Sequence, residues 1–189
     1  MKPETRKNEI IIKAAALFKD KGYSAVTMRD LATALGIKAA SLYNHIDSKQ
    51  AILQDIILSI AEEFTAGMET ILQDEGSSIN RLNQIIQLHV TIASRNADGM
   101  AALNTDWMHL ENKLDYYLSL RDTYENNFRN IIIDGIEQGE IKDENVEVIL
   151  FSMLSTLRSL YLWIPKKEDL NIDQLSDSLS AILISGINT

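Results

Sequence analysis

Residues 27–46 read Thr-Met-Arg-Asp-Leu-Ala-Thr-Ala-Leu-Gly-Ile-Lys-Ala-Ala-Ser-Leu-Tyr-Asn-His-Ile. The segment opens with Thr27 and, three residues on, Asp30, a capping pattern that predicts the start of a short helix. Gly36 then predicts the end of that helix, because glycine enters a left-handed turn without steric cost. A second short helix is predicted over 39–46. Two short helices joined by a glycine turn form a helix-turn-helix unit.

Three positions make this unit specific. Ala32 is small enough to let the second helix cross closely, Gly36 makes the turn, and Leu42 fills the angle between the two helices. These residues lie together in a capped helix, a glycine turn and a basic segment, and the combination favours DNA binding over an incidental helical hairpin.

The remaining chain is predicted to be helical throughout. Apolar residues recur at helical spacing, and no alternating run of strand length separates the breaks. On the first helix the spacing predicts that Ile11, Ala14, Ala15 and Phe18 face inward. The fold class is therefore all-α, with further helices at 9–21, 48–74, 79–96, 99–108, 110–138, 145–163 and 171–187.

Charge is distributed unevenly along the chain. The net charge of −9 argues against nucleic-acid binding, yet residues 1–50 carry nine basic and five acidic side chains, a net of +4. The other 139 residues carry −13. We call residues 1–50 the head and the other 139 residues the body. A basic head joined to an acidic body is compatible with a head that binds a polyanion.

Several classes of function find no support in the sequence. The absence of cysteine excludes disulfides, a thiolate zinc site and a cysteine nucleophile. Beyond the head there is no metal-ligand cluster, no phosphate-binding glycine loop and no Ser-His-acid spacing, and lone histidines such as His89 are more often packed or exposed than ligands. We therefore expect no enzyme, no metal and no cofactor. The charged start of the chain shows no secretion signal and predicts a cytoplasmic protein.

The N-terminal third also follows a family pattern. It contains the runs Ile11-Ile-Lys-Ala-Ala-Ala-Leu-Phe, Gly22-Tyr, Thr27-Met-Arg-Asp-Leu-Ala, Leu35-Gly-Ile and Ser41-Leu-Tyr-Asn-His-Ile-Asp-Ser-Lys. In these runs the chain resembles the DNA-binding domain of TetR-type transcriptional regulators. The resemblance predicts a helix-turn-helix domain over 4–64, a helical ligand-binding and dimerisation domain over 65–189, and a homodimer that binds a palindromic double-stranded operator, usually as a repressor.

The resemblance also implies roles for individual residues. The recognition helix would present candidates for base contacts in the major groove: Lys38, Ala39, Ala40, Ser41 and Asn44. Contacts to phosphates would come from Thr27, Tyr43, His45 and Lys49, with Lys49 placed at a helix N-terminus. Lys2, Arg6 and Lys7 could form an arm that reaches the DNA backbone or the minor groove. The alternatives are packing for Tyr43, helix capping for His45 and simple solvation for the N-terminal basic residues.

An apolar stripe on the predicted helix 110–138 contains one charge. It comprises Leu110, Leu114, Tyr117, Arg121, Tyr124, Phe128 and Ile131. A guanidinium that faces a core needs a partner. Arg121 would form either a salt bridge to an acidic residue of a neighbouring helix or an anchor for an anionic effector, whose apolar part would lie among Met100, Trp107, Tyr117, Tyr124 and Phe128.

Residues 148–164 form an apolar tract in which Arg158 is the one charge, and Arg158 is a further candidate ligand contact. The tract is short and interrupted by polar residues, so no membrane span is expected. Together with 171–187 it predicts a four-helix dimer interface, as in TetR-type proteins.

The effector class stays open at this level. A weaker resemblance, through Arg121-Asp-Thr-Tyr-Glu, Gly135-Ile-Glu-Gln-Gly-Glu, Trp163 and Gly186, is to the subgroup that senses acyl-coenzyme A thioesters. The competing effector is a hydrophobic, drug-like inducer. The alternative function is a small-molecule-binding or scaffold protein with a non-functional DNA head.

Overall fold

The computed structural model describes residues 6–167 and 170–187, with the side chain of Asp173 left out. Within this part of the chain the fold is all-α and contains no strand, which confirms the predicted class. The helices are α1 (Arg6–Lys21), α2 (Met28–Ala34), α3 (Ala39–Leu42), α4 (Lys49–Leu72), α5 (Ser78–Arg95), α6 (Ala97–Thr105), α7 (Leu114–Glu137), α8 (Val146–Trp163) and α9 (Ile172–Ser185).

The chain divides into two compact units. The N-terminal unit comprises the chain up to Ala61 together with Asp98–Leu118. The C-terminal unit comprises Glu62–Ala97 together with the chain from Ser119 onward. Helices α4 and α7 each contribute residues to both units.

The N-terminal unit has a small apolar core under α1, α2 and α3. Ile10, Phe18, Leu31 and Leu42 are fully buried or nearly so. On α1 the inward residue of the first turn is Ile10, and Ile11 is only half-buried, so the prediction for Ile11 was wrong by one position. Ala14, Ala15 and Phe18 are buried as predicted.

Two predicted helices are shorter than expected. The helix expected over 39–46 is regular only over Ala39–Leu42 and continues as a turn. The helix expected over 110–138 begins at Leu114, after the 3₁₀ turns Trp107–His109 and Glu111–Lys113. Glu111 has a φ of +49°, a left-handed conformation that interrupts a right-handed helix, so Leu110 is not part of α7.

The C-terminal unit is organised around α5, which packs against α8 and α9. The apolar face of α5 buries Leu82, Ile85 and Ile86, and α8 buries Met153 and Leu157. Side-chain caps begin these helices: Ser77 accepts from the Asn80 amide at the start of α5, and Asn145 and Asn171 do the same at α8 and α9.

Candidate DNA-binding surface and effector site

Helix α2 is closed at both ends by hydrogen bonds. At the start of α2, the Asp30 amide donates to Thr27 Oγ1 over 3.2 Å and the Thr27 amide donates to Asp30 Oδ2 over 2.8 Å, which is the predicted capping box. At its end, the Ile37 amide donates to Ala32 O over 3.0 Å, and Gly36 has a φ of +65°. This Schellman closure fixes the angle at which α3 leaves the turn.

Beyond the turn, the predicted recognition segment separates into an inner and an outer face. Leu42 and Ile46 are buried in the small core. The outer face is exposed, apart from the half-buried Ala39, and consists of Lys38, Ala40, Ser41, Tyr43, Asn44 and His45. Tyr43 has 54% of its surface open to solvent. The residues predicted to contact bases, together with Tyr43 and His45, therefore lie on one accessible segment. The roles of Tyr43 and His45 as phosphate contacts stay predictions.

The hydroxyl of Thr27 is committed to the cap. It accepts from the Asp30 amide and donates to Asp30 Oδ2 over 2.6 Å, although the residue itself is exposed. The hydrogen bonds from Thr27 also hold the pKa of the Asp30 carboxyl below its usual value. A phosphate contact by Thr27 stays a prediction, and such a contact would add to the capping role.

Lys49 has a structural task at the start of α4. Its Nζ donates to Tyr23 O and to Val26 O, both over 2.8 Å, and lies 4.2 Å from the centroid of the Tyr23 ring. The Tyr23 hydroxyl in turn donates to Gln50 Oε1 over 2.6 Å. Lys49 therefore connects the loop after α1 to α4. The predicted phosphate contact would use the third proton of the Lys49 ammonium group and the backbone amides at the start of α4.

The N-terminal basic residues do not form an extended arm where the structure describes them. Arg6 and Lys7 lie inside α1, where Arg6 pairs with Glu9 and Lys7 Nζ lies 2.7 Å from Asp55 Oδ2. Helix formation from Arg6 onward is the reason, because it directs both side chains along the helix surface. Lys2, the third member of the predicted arm, lies outside the described residues.

The seven predicted effector residues divide between the two units. Met100, Trp107 and Tyr117 lie in the N-terminal unit, where the Trp107 and Tyr117 rings stack with centroids 6.0 Å apart and Met100 is buried. The C-terminal unit contains the other four: Arg121, Tyr124, Phe128 and Arg158. The predicted single stripe is therefore shared by two units, with its break at Leu118.

In the C-terminal unit one carboxylate joins both candidate arginines. Glu125 Oε1 accepts from Arg121 Nε over 3.1 Å, one turn along α7, and from Arg158 Nη2 over 2.5 Å, from α8. Partial burial raises the pKa of Glu125, but the hydrogen bonds from Arg158 and Arg121 outweigh it and hold the pKa below its usual value. The prediction expected a salt bridge from Arg121 to a neighbouring helix, whereas Glu125 lies on the same helix, α7. The role of Arg121 as an anchor for an anionic effector stays a prediction.

A buried polar pair lies beside this ion cluster. His89 Nε2 on α5 is 3.0 Å from the Tyr124 hydroxyl on α7, and both residues are buried. The Phe64 ring lies against them, with its centroid 4.6 Å from that of His89. Burial and, secondarily, the charge of Arg158 lower the pKa of His89 to about 3, so the imidazole is neutral at physiological pH. Burial also raises the pKa of Tyr124, and Arg158 opposes that rise.

Sequence reasoning missed Glu125 and His89. Glu125 follows Arg121 by four residues, the spacing at which opposite charges meet on a helix, so a local signal was available. His89 is the single titratable residue on the apolar face formed by Leu82, Ile85, Ile86, Val90 and Ala93. That position was a signal of burial, but it did not indicate the partner, which lies 35 residues away in sequence.

The predicted dimer helices leave apolar side chains in solvent. On α8 these are Val148, Phe151, Leu162 and Trp163, and on α9 Ile182, with Phe151 72% and Ile182 71% exposed. By length and composition alone, the segment Val146–Lys166 could cross a membrane, and 44% of its apolar 18-residue window is buried inside the fold. An open polar groove of about 630 Å³ lies between α5 and α9, and none of the predicted effector residues lines it.

A capped helix-turn-helix with an exposed recognition segment, followed by a larger helical unit, defines the class of helix-turn-helix DNA-binding regulators. Comparison with known families agrees. Residues 10–56 match the model of bacterial regulatory proteins of the tetR family, and residues 75–187 match that of the tetracyclin repressor-like C-terminal domain. The chain belongs to the TetR family of transcriptional regulators.

Several known proteins are similar to this chain over nearly its whole length. It is 22% identical over 185 residues to the transcriptional repressor KstR2 of Rhodococcus jostii, covering 96% of this chain and 91% of KstR2. The structure of the ketosteroid transcriptional regulator KstR2 of Mycobacterium tuberculosis has a TM-score of 0.92 at 21% identity, covering 98% and 96% of the two chains. AibR in complex with isovaleryl coenzyme A and operator DNA has a TM-score of 0.76 at 22% identity, covering 95% and 98%.

Proposed function

We propose that this protein is a dimeric repressor that binds a palindromic operator through residues 4–64 and leaves it when a small molecule binds within residues 65–189. The observation that carries the proposal is the exposed segment from Lys38 to His45, held at a fixed angle by the closed turn at Gly36. Family membership supports a DNA-binding regulator, and a protein of this kind works in the cytoplasm, where bacterial DNA lies.

The outer face of the recognition segment suits the major groove. Ser41 and Asn44 carry donors and acceptors for base edges, Lys38 carries a donor, and the two alanines offer methyl groups for thymine. Tyr43 and His45 lie beside them and would bind phosphates, with Thr27 and Lys49 as further phosphate contacts. Phosphate contacts hold the protein in register while base contacts select the sequence.

A second copy of the chain would cover the apolar residues of α8 and α9. Soluble monomers rarely leave such side chains in one region, and a symmetric interface buries the same surface on both copies. A dimer also explains a palindromic operator, because two recognition helices enter successive major grooves about 34 Å apart. Helix α4 is one of the places where the chain passes from one unit to the other, and it is our candidate for the coupling element.

The effector is a small hydrophobic or anionic molecule, with an acyl-coenzyme A thioester as the leading candidate. Arg121 on α7 and Arg158 on α8 both bind the carboxylate of Glu125, and a guanidinium group can bind an anionic group through two parallel hydrogen bonds. AibR, a protein of the same fold, has been solved with isovaleryl coenzyme A and operator DNA. A hydrophobic inducer without an anionic group is the alternative.

The DNA-binding proposal is tested by selecting duplexes from a random library with the full chain and measuring the affinity for the selected sequence. Tyr43→Phe removes a hydroxyl from the recognition segment, and Tyr116→Phe removes one from another exposed tyrosine. We expect weaker binding of every duplex for Tyr43→Phe and none of that loss for Tyr116→Phe. Failure to select any sequence, with no salt-dependent DNA binding, would favour the scaffold alternative.

The effector proposal is tested by operator release with isovaleryl coenzyme A and longer acyl thioesters. Arg121→Met leaves Arg158 to pair with Glu125, so the variant should fold. Arg129→Met is the matched control, since Arg129 pairs with the exposed Glu147 on the same helix pair. Loss of release in Arg121→Met alone supports an anchor, whereas unfolding without a selective loss of response supports a structural salt bridge.

A further inference from the structure

One nitrogen of His89 has no partner. Across residues 6–167 and 170–187, Nδ1 of His89 is the one buried side-chain nitrogen or oxygen without a hydrogen bond. The residue is only 3% exposed, so bulk water does not reach the ring. Buried polar atoms are almost always paired, and an exception calls for a specific explanation.

The pairing of the other ring nitrogen decides what Nδ1 can do. Nε2 lies 3.0 Å from the Tyr124 hydroxyl, and a neutral imidazole has one donor and one acceptor nitrogen. If Tyr124 donates to Nε2, the ring proton sits on Nδ1 and one donor lacks a partner. If Nε2 donates to Tyr124 instead, both Nδ1 and the hydroxyl proton of Tyr124 lack a hydrogen-bond partner. The first arrangement leaves fewer buried groups unsatisfied, so Nδ1 is the donor.

The surroundings of the ring favour a neutral partner. Phe64 lies against the imidazole with centroids 4.6 Å apart, and Tyr124 lies edge-on at 5.8 Å. Arg158, the cation whose charge acts on His89, is bound to Glu125. A carboxylate placed against the ring would lose most of its hydration for one hydrogen bond from a neutral donor, whereas a carbonyl oxygen has far less hydration to lose.

We propose that the effector places a neutral carbonyl oxygen against His89 Nδ1, inside the C-terminal unit between α4, α5 and α7. The inference rests on the proposed function, because it assigns a contact within the proposed effector site. It adds a donor that recognises the uncharged acyl or keto part of the molecule, while Arg121 and Arg158 attract an anionic part. Ketones, esters and thioesters share this chemistry.

The experiment uses the full chain labelled with ¹⁵N at histidine and follows the two ring nitrogens of His89 by NMR. Three probes of similar shape are compared at millimolar concentration: cyclohexanone, methylenecyclohexane and cyclohexanecarboxylate. Of these three probes, only cyclohexanone carries an uncharged oxygen that accepts a hydrogen bond. We expect a protonated Nδ1 in the free protein, a shift of that nitrogen with cyclohexanone, and an affinity about 10-fold above that of methylenecyclohexane.

His89→Leu should remove the preference for the ketone, and His109→Leu, in the other unit, should keep it. If His89→Leu does not fold, the three probes on the wild-type chain still decide. Equal affinities for the ketone and the methylene compound, an unprotonated Nδ1, or preferential binding of the carboxylate at His89 would each overturn the proposal. A different result would contradict the proposed function alone. If the protein binds cyclohexanone at His89 but no effector releases it from its operator, the carbonyl site is supported and the ligand-responsive function is not.

Discussion

Arg158 on α8 donates to Glu125 on α7, with Nη2 and Oε1 2.5 Å apart. The same carboxylate oxygen accepts from Arg121, so one acidic side chain organises both cations of the proposed effector site. Glu125 is thereby a residue on which both the packing of α7 against α8 and the attraction for an anion depend.

Replacing Glu125 by glutamine should destabilise the C-terminal unit. The change removes the negative charge between two partly buried guanidinium groups, and we expect a loss of about 1–2 kcal/mol in the free energy of unfolding by urea. Glu147→Gln is the matched control, since Glu147 is exposed and has Arg129 as its ion-pair partner. Equal stability changes in the two variants would contradict the bridging role of Glu125.

Stability should fall in mild acid because of His89. A histidine in an unfolded chain titrates near 6.5, whereas the pKa of His89 in the fold is about 3. Between these values the unfolded chain binds more protons, so the free energy of unfolding rises with pH across this window. From pH 7 down to pH 5 His89 should account for about 2 kcal/mol of lost stability.

The measurement compares urea unfolding of the wild type and of His89→Phe at both pH values. The variant should lose most of this pH dependence even if it is less stable overall. His45→Gln, which replaces a histidine at an exposed position, is the control. Carboxylates such as Glu125, whose pKa is also lowered in the fold, act in the same direction but in all three proteins. An undiminished pH dependence in His89→Phe would argue against a buried neutral histidine.

The cap at Thr27 should matter for both stability and DNA affinity. Thr27→Ala removes the acceptor for the Asp30 amide, and we expect a loss of about 1 kcal/mol in unfolding free energy. Thr33→Ala is the control, because the Thr33 hydroxyl donates only back to Arg29 O within α2. Calorimetry and DNA titration on the same samples check the effect, and a Thr33→Ala variant as impaired as Thr27→Ala would show that the cap is not the cause.

Phe151→Glu should convert a dimer into a monomer. Phe151 is 72% exposed on α8, and a charge there would be desolvated in a symmetric interface. Ile12→Glu, at another exposed apolar residue on α1, is the control. Light scattering should give twice 21.3 kDa for the wild type and for Ile12→Glu, and 21.3 kDa for Phe151→Glu. A monomeric wild type would refute this interface.

Local signals predicted the N-terminal part of the fold well. The threonine cap, the left-handed glycine and the inward Leu42 depend on residues a few positions apart, and the structure has them as predicted. The break at Glu111 was missed because its positive φ is adopted by a residue type that rarely marks such a turn.

The candidate effector site was less predictable because it depends on contacts between helices. The pairs His89 with Tyr124 and Arg158 with Glu125 join residues more than 30 positions apart, and no spacing in the sequence specifies them. The role of Lys49 at the loop after α1 is another such contact, since it depends on where the carbonyls of Tyr23 and Val26 point.

The central claim is sequence-specific DNA binding through the segment from Lys38 to His45, and selection from a random duplex library followed by fluorescence anisotropy tests it most directly. We predict a palindromic consensus, an affinity that falls steeply with salt, and a loss of selectivity in Asn44→Ala with little change in binding to random DNA. A chain that selects no palindrome, and whose binding is the same for wild type and Asn44→Ala on every duplex, would contradict the claim.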